Sequence, residues 1–153
     1  MTPTQREDYI SRQIRAIAAM LARIAGLRLE GQLEEAGSEL EQAYGLLLGL
    51  EGGSLRRVDA GTAATILSSP ERILAFASLL NEEASQERDA ARGGSLRKQA
   101  LAVGIEAARR DRQNEAVGIF LAGLAPLVDR GDLAPADRSL FEEILKSRSG
   151  AAG

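Results

Sequence analysis

Glutamate side chains spaced one helical turn apart are the first residues of this sequence that could do chemistry. One group is Glu34, Glu35, Glu39 and Glu41, and the other is Glu82, Glu83 and Glu87. Carboxylates at positions i and i+4 share one face of a helix, where two of them could bind a divalent cation. Helical metal sites usually combine such carboxylates with histidine from facing helices, and this sequence contains no histidine. A solvated acidic face is therefore the simpler interpretation, and we predict no metal ion and no cofactor.

Two Gly-Gly-Ser stretches are the second place where chemistry is conceivable. Residues 52–54 and 93–95 each precede a possible helix start, where backbone N–H groups could hold a phosphate. Neither stretch matches the P-loop or the dinucleotide-binding pattern. We interpret residues 51–54 as a flexible joint and the glycines at 93 and 94 as a helix end.

The composition excludes most catalytic chemistry. Without histidine and cysteine, the chain lacks Ser-His and Cys-His nucleophile pairs, zinc fingers and disulfides. We predict that it is not an enzyme and has no catalytic residues. Its formal net charge of -3 argues against nucleic acid as a partner. The apolar run near the N-terminus, residues 16–22, is far too short to span a membrane. No secretion signal is evident, so we expect a cytoplasmic protein.

Basic side chains gather in one later segment. Between residues 88 and 112, seven basic residues stand against three acidic ones. No aromatic side chain lies among them to stack on a base, so an acidic protein or peptide is a better partner than RNA. The candidate partner-binding face comprises Arg97, Lys98, Arg109, Arg110 and Arg112. A face whose charges are solvated or paired within the chain is the alternative.

The elements that would carry these residues are almost all helices. Apolar residues from Ile10 to Ile24 recur at alternating spacings of four and three, which predicts a helix over residues 6–29. Thr4 and Glu7 are predicted to form its capping box. A second helix returns antiparallel to the first, and the two carry opposite charges that favour this pairing. The predicted inner face of the second helix consists of Leu33, Ala36, Leu40, Ala43, Tyr44 and Leu47.

Beyond the joint, cap residues divide the chain into further helices. Asp59 and Ser69 are predicted N-caps, the latter followed by Pro70 at the first helical position. The helix from Pro70 is expected to become polar and more exposed over residues 81–92. We predict one all-helical domain. It consists of an N-terminal hairpin (6–50), the joint (51–54), a tetratricopeptide-like region (55–146) and a disordered tail (147–153).

A similar joint between two helices occurs twice in the chain. Residues 31–36 and 111–116 both end in Glu-Ala, and a large apolar residue, Leu40 or Phe120, follows four positions after the alanine. These joints resemble those of tetratricopeptide repeats. The resemblance implies an all-α fold of antiparallel helical hairpins, stacked in a tetratricopeptide-like array of about six to seven helices. A generic helical bundle is the alternative, and the phase of the repeats stays open because residues 96–110 fit either half of a hairpin.

The N-terminal half carries a narrower likeness. Residues 8–14 read Asp-Tyr-Ile-Ser-Arg-Gln-Ile, with Leu-Ala-Arg-Ile at 21–24 and Glu-Glu-Ala at 34–36. This pattern resembles a bacterial family of small helical proteins in which a D-Y-I-x-R-x-I start precedes a helical hairpin. The resemblance extends to about Arg110 and implies a tetratricopeptide-like region after the hairpin. That family has no assigned function, so it implies no residue roles.

An excess of apolar residues around the first two helices has to be covered, either by later helices of the same chain or by a second copy of it. The candidate self-association surface comprises Met20, Leu27, Leu46, Leu47, Leu48 and Leu50. One neighbouring helix covers only part of such a surface, and burial by later helices is the alternative. We predict a non-catalytic scaffold or protein–protein interaction module that forms a homodimer. The alternative function is a small-ligand-binding protein, or a carboxylate-based enzyme, with a pocket between helices.

Overall fold

The structure is a computed structural model that describes residues 2–49 and 52–152. Eight α-helices and two 3-10 turns make up this part of the chain, in which there is no β-strand. The helices are α1 (Pro3–Leu29), α2 (Leu33–Leu48), α3 (Gly52–Leu55), α4 (Ala60–Leu67), α5 (Pro70–Gln86), α6 (Ala90–Arg110), α7 (Glu115–Leu124) and α8 (Pro135–Ala152). The chain is therefore an all-α helical bundle, as the spacing of its apolar residues predicts.

Helices α1 and α2 form the N-terminal hairpin, and the turn between them contains Gly31 at a φ of 79°. A residue with a side chain rarely adopts this left-handed conformation, so glycine suits the turn. The helix begins three residues earlier than predicted, because Thr2 and Gln5 form the capping box rather than Thr4 and Glu7. The predicted inner face of α2 is confirmed: Ala36, Leu40, Ala43, Tyr44 and Leu47 are buried, and Leu33 is half-buried.

The segment between the hairpin and the next long helix is more ordered than the sequence predicts. Gly52–Leu55 is a helical turn instead of part of a flexible joint, and its Leu55 side chain is buried in the core. Burial of this leucine offsets the helix-breaking tendency of the two glycines. Asp59 accepts a hydrogen bond from the backbone N–H of Thr62 and caps α4, as predicted.

Helix α5 lies at the centre of the bundle, in contact with α1, α2, α4 and α6. Its predicted start is confirmed, since the Ser69 hydroxyl accepts a hydrogen bond from the Arg72 N–H and Pro70 occupies the first turn. Arg72 also donates to the carbonyl oxygens of Leu47 and Leu67, at 3.2 and 3.3 Å. One guanidinium thus binds the C-terminal ends of both α2 and α4.

The break between α5 and α6 lies earlier than predicted. Helix α6 begins at Ala90, where the Asp89 carboxylate accepts hydrogen bonds from two backbone N–H groups of the first turn. The glycines at 93 and 94 therefore lie inside α6 and do not end a helix. A Cβ atom at Gly93 would lie 3.4 Å from the carbonyl oxygen of Ala84, in van der Waals contact with the end of α5.

Helices α5 and α6 form a second hairpin, and α7 and α8 form a third one that packs on α6. Asn114 caps α7, and the chain changes to a 3-10 turn at Ala125–Leu127, which contains Pro126, a residue that lacks the N–H needed to continue an α-helix. Helix α8 buries Phe141 and Ile144 and continues to Ala152. The predicted disordered tail is therefore wrong for the residues from Ser147 to Ala152.

Candidate functional site

Two adjacent glutamates of α5, Glu82 and Glu83, lie inside the bundle with only 9% of their surface exposed. Burying a carboxylate is costly unless a cation neutralises it. The Arg28 Nε of α1 donates to Glu82 Oε1 at 2.7 Å, so this pair also joins α1 to α5. The second half of α5 was predicted to be exposed, and this is wrong for Glu82 and Glu83. Arginines from other elements neutralise the two carboxylates and so allow their burial.

Glu83 is the centre of a polar cluster with Tyr44 and Arg56. Its Oε1 accepts a hydrogen bond from the Tyr44 hydroxyl at 2.8 Å and another from Arg56 Nη2 at 2.5 Å. The Arg56 guanidinium lies over the Tyr44 ring, 4.1 Å from the ring centroid, in a cation–π contact. The same guanidinium pairs with Glu41 at 3.3 Å. The cluster therefore binds α2, the segment after α3 and α5 to one another.

The protonation of this cluster is fixed by its surroundings. Burial is the largest cause that raises the pKa of Tyr44 well above its ordinary value, and the charge of Glu83 and the hydrogen bond to it act in the same direction. Burial lowers the pKa of Arg56, but interactions with Tyr44, Glu83 and Glu41 outweigh it and raise that pKa overall. Tyr44 therefore remains a neutral donor and Arg56 a cation at neutral pH, so neither is suited to act as a general base.

A cleft of about 350 Å³ opens beside this cluster. We call it the arginine cleft; it is lined by Gly53, Arg56, Arg57, Leu80, Glu83, Arg92, Leu96 and Gln99. Arg92 pairs with Glu87 at 3.0 Å and approaches Glu83 Oε2 at 3.5 Å. The Gln99 amide donates to the carbonyl oxygen of Arg56 at 3.1 Å. Residues from α3, α5, α6 and the segment after α3 thus converge on one polar opening.

The five residues of the predicted partner-binding face do not form an open basic surface, because each has a polar partner in its own chain. Arg97 donates to the Asn81 side chain, Lys98 pairs with Asp132, Arg109 pairs with Glu106 and Asp137, Arg110 pairs with Glu106, and Arg112 pairs with Glu143. The alternative of intramolecular pairing describes this segment better. The acids come largely from α8 and from the turn before it, which the sequence alone does not place beside α6.

The predicted self-association surface is also corrected. Leu47 and Leu48 are buried in the core, and Met20 and Leu27 are half-buried against it. Leu46 is 42% exposed, whereas Leu50 lies outside the described residues. Helix α5 packs against both helices of the hairpin and covers most of this apolar excess.

A different part of the hairpin remains open to solvent, at the N-terminal half of α1. Residues 2–9 are all exposed there, and the Tyr9 side chain is 52% exposed. On one side of Ile10, a cleft of about 600 Å³ includes Tyr9 and Leu46. On the other side, a cleft of about 540 Å³ is lined by Glu7, Ile10, Ser11, Ile14, Arg15, Ser69 and Glu71. This face of α1 is the second candidate site.

The candidate metal and phosphate sites of the sequence are the acidic groups and the two Gly-Gly-Ser stretches. Among the residues that the structure describes, no three acidic side chains are grouped so as to hold a metal ion. Gly53 of the first Gly-Gly-Ser stretch lines the arginine cleft, whereas the second stretch lies within the first turns of α6.

The sequence does not predict that Tyr44, Arg56 and Glu83 form one cluster. Helical spacing does indicate that Glu83 is buried, because Glu83 lies seven residues after Phe76 and three after Leu80, on the buried face of α5. No local pattern indicates Arg56, whose contact depends on how the chain after α3 folds back across α2 and α5.

The structure is thus an all-α helical bundle with two candidate sites, the arginine cleft and the open face of α1. Comparisons with family models, characterised proteins and solved structures find no match for this chain. Within residues 2–49 and 52–152, no helix is both long and apolar enough to cross a membrane.

Proposed function

We propose that this protein is a non-catalytic helical scaffold that acts by binding protein, and that its first partner is a second copy of itself. The observation that carries the proposal is the open face of α1. Its residues Glu7, Ser11 and Arg15 are exposed and follow one another at intervals of four, so they form one stripe along the helix.

This stripe is complementary to itself. Two α1 helices that pair antiparallel about Ser11 place each Glu7 opposite the partner's Arg15, and each Arg15 opposite the partner's Glu7. Neither side chain has an ion pair within the described part of its own chain. Ser11 is small at the crossing point, and the half-buried Ile10 and Ile14 supply apolar contact beside it. A two-fold arrangement of this kind is the usual form of a homodimer.

The expected dimer is reversible, because the contact is small. A standard protein interface buries about 800 Å² on each partner, and half of one helix provides less than that. We therefore expect dissociation constants in the micromolar range and a dimer population that depends on protein concentration.

Charge reversal tests this pairing by sedimentation. Glu7→Arg and Arg15→Glu should each weaken the dimer about tenfold, because both symmetry-related pairs become repulsive. The double variant Glu7→Arg/Arg15→Glu should recover the wild-type association, since the charges are exchanged but still complementary. Arg12→Glu is the matched control, an exposed charge change on α1 that does not line the 540 Å³ cleft.

Two results would contradict the proposal. One is a wild-type protein that remains monomeric up to high concentration. The other is a double variant that associates no better than either single variant, which would show that Glu7 and Arg15 do not face each other.

A second candidate function, the binding of a small ligand between helices, is favoured by the buried Glu83 in the arginine cleft. A carboxylate-based enzyme is less well supported, because both oxygens of Glu83 already interact with Tyr44, Arg56 or Arg92. The ligand-binding alternative is therefore best considered through the arginines of the cleft.

A further inference from the structure

The arginine cleft is lined by three arginines, Arg56, Arg57 and Arg92, and by one glutamate, Glu83. Glu41 and Glu87, beside the cleft, also pair with Arg56 and Arg92, so Arg57 is the arginine of the lining that no described acidic residue neutralises. Glu83 is itself occupied, since Tyr44 and Arg56 both donate to its Oε1. Converging cations in a recess surrounded by protein concentrate positive potential and attract anions.

Two of the arginines retain donors that can face a ligand. Arg57 is exposed and has no ion pair among the residues that the structure describes. Arg92 uses Nε for Glu87 and Nη2 for Glu83, which leaves Nη1 without an acidic partner in the same part of the chain. A guanidinium carries five N–H donors, so both side chains can still bind oxygens of an anion.

The wall of the cleft is already held in place. Arg56 is fixed by Glu83, by Glu41 and by the Tyr44 ring. The Gln99 side chain anchors the carbonyl of Arg56, and with it the peptide bond that leads to Arg57. Preorganised donors lower the conformational entropy that a ligand must offset on binding.

We infer that the arginine cleft binds a phosphate group, either as the free anion or on a small phosphate monoester, between Arg57 and Arg92. A phosphate presents several oxygens in a tetrahedral arrangement, which suits guanidinium groups that arrive from different elements better than a planar carboxylate does. This binding site is separate from the α1 face and does not depend on dimer formation.

The size and the remaining lining fit a small ligand. A volume of about 350 Å³ holds a phosphate with a short organic group. Leu96, which is half-buried, offers apolar surface to that group, and a Cβ atom built at Gly53 would meet nothing within 4 Å, so this side of the cleft is open.

Calorimetric titration of the purified protein with inorganic phosphate, at constant ionic strength, tests this inference. We expect saturable binding that Arg57→Gln and Arg92→Gln each weaken about tenfold or more, because each removes charge-assisted hydrogen bonds. The control is Arg12→Gln, which removes the same charge from α1 and should leave the affinity unchanged. Arg57 is exposed, so its variant should fold normally, which circular dichroism would verify.

A second arm distinguishes the two sources of phosphate. Glycerol phosphate that binds more tightly than inorganic phosphate supports a monoester as the ligand, with its organic part against Leu96. Equal affinities support the free anion. The absence of saturable heat with either probe would overturn the inference, as would an equal loss of affinity in Arg12→Gln and Arg57→Gln, which reports only net charge.

Discussion

At the scale of single residues, Tyr44 and Glu83 show how this bundle accommodates charge in its interior. Glu83 faces the core because it lies on the buried side of α5, and three different elements supply what it binds. A buried carboxylate with a tyrosine hydroxyl and a guanidinium on one oxygen is a polar network that is stable only while all its members are present. This network joins α2, the segment after α3, α5 and α6 to one another.

We expect Tyr44→Phe to lower the free energy of unfolding by about 1–3 kcal/mol at neutral pH, because it removes a buried hydrogen bond to a charged acceptor. Urea denaturation measures the change. Tyr9→Phe is the control, since the Tyr9 side chain is 52% exposed and should alter stability by no more than about 0.5 kcal/mol.

The same variant has a predicted pH dependence. Because folding raises the pKa of Tyr44, its contribution to stability is fully present below the unfolded-state pKa of about 10 and is lost as the pH rises further toward the folded-state pKa. The stability difference between wild type and Tyr44→Phe should therefore be constant near neutral pH and shrink above about pH 10. A difference that stays unchanged into this alkaline range would contradict the assignment.

At the scale of elements, the contact between α6 and α7 depends on one glycine. Gly104 of α6 lies where this helix packs closely against α7. A Cβ atom built there would lie 2.8 Å from Phe120 Cε1 and 3.1 Å from Leu121 Cδ2. The two joints themselves differ, since Ala36 is fully buried in the fourth position of α2, whereas Ala116 is exposed in the second position of α7.

Gly104→Ala and Gly94→Ala provide a matched pair within α6. Both variants gain about 0.5–1 kcal/mol of helix propensity, but only the first inserts a methyl group against another helix. We expect Gly104→Ala to be less stable than Gly94→Ala by about 1–3 kcal/mol, as is typical of an overpacked core. Thermal unfolding of the two proteins measures the difference, and equal stabilities would mean that α7 adjusts without cost.

At the scale of the whole molecule, three hairpins follow one another, and the central one contacts both of the others. These hairpins are α1–α2, α5–α6 and α7–α8. Helix α5 shares the core with α1 and α2, and its Phe76 is fully buried with an edge-on contact to the Tyr44 ring. The hairpins should therefore unfold together, in agreement with the single domain that we predict.

Phe76→Ala tests this cooperativity. Truncating a fully buried phenylalanine should cost about 3–5 kcal/mol, and the loss should appear equally in helix content and in tyrosine fluorescence during denaturation. Ile66→Ala is the control, because Ile66 is 55% exposed and its truncation should cost little. Separate transitions for the two probes would show that the hairpins unfold independently.

Local patterns in the sequence predicted the helical class, the starts of α4 and α5 and the inner face of α2. Caps such as Asp59 and Ser69, and the spacing of apolar residues, act within one or two helical turns and can therefore be read locally. Which surfaces are exposed to solvent depends on how the helices pack in the tertiary structure. Packing of α5 on the first hairpin buries Leu47 and Leu48, and α8 brings acidic side chains to Arg109 and Arg112. The arginine cleft likewise depends on residues that are distant in sequence, because burial and charge neutralisation are properties of neighbouring elements and not of one segment.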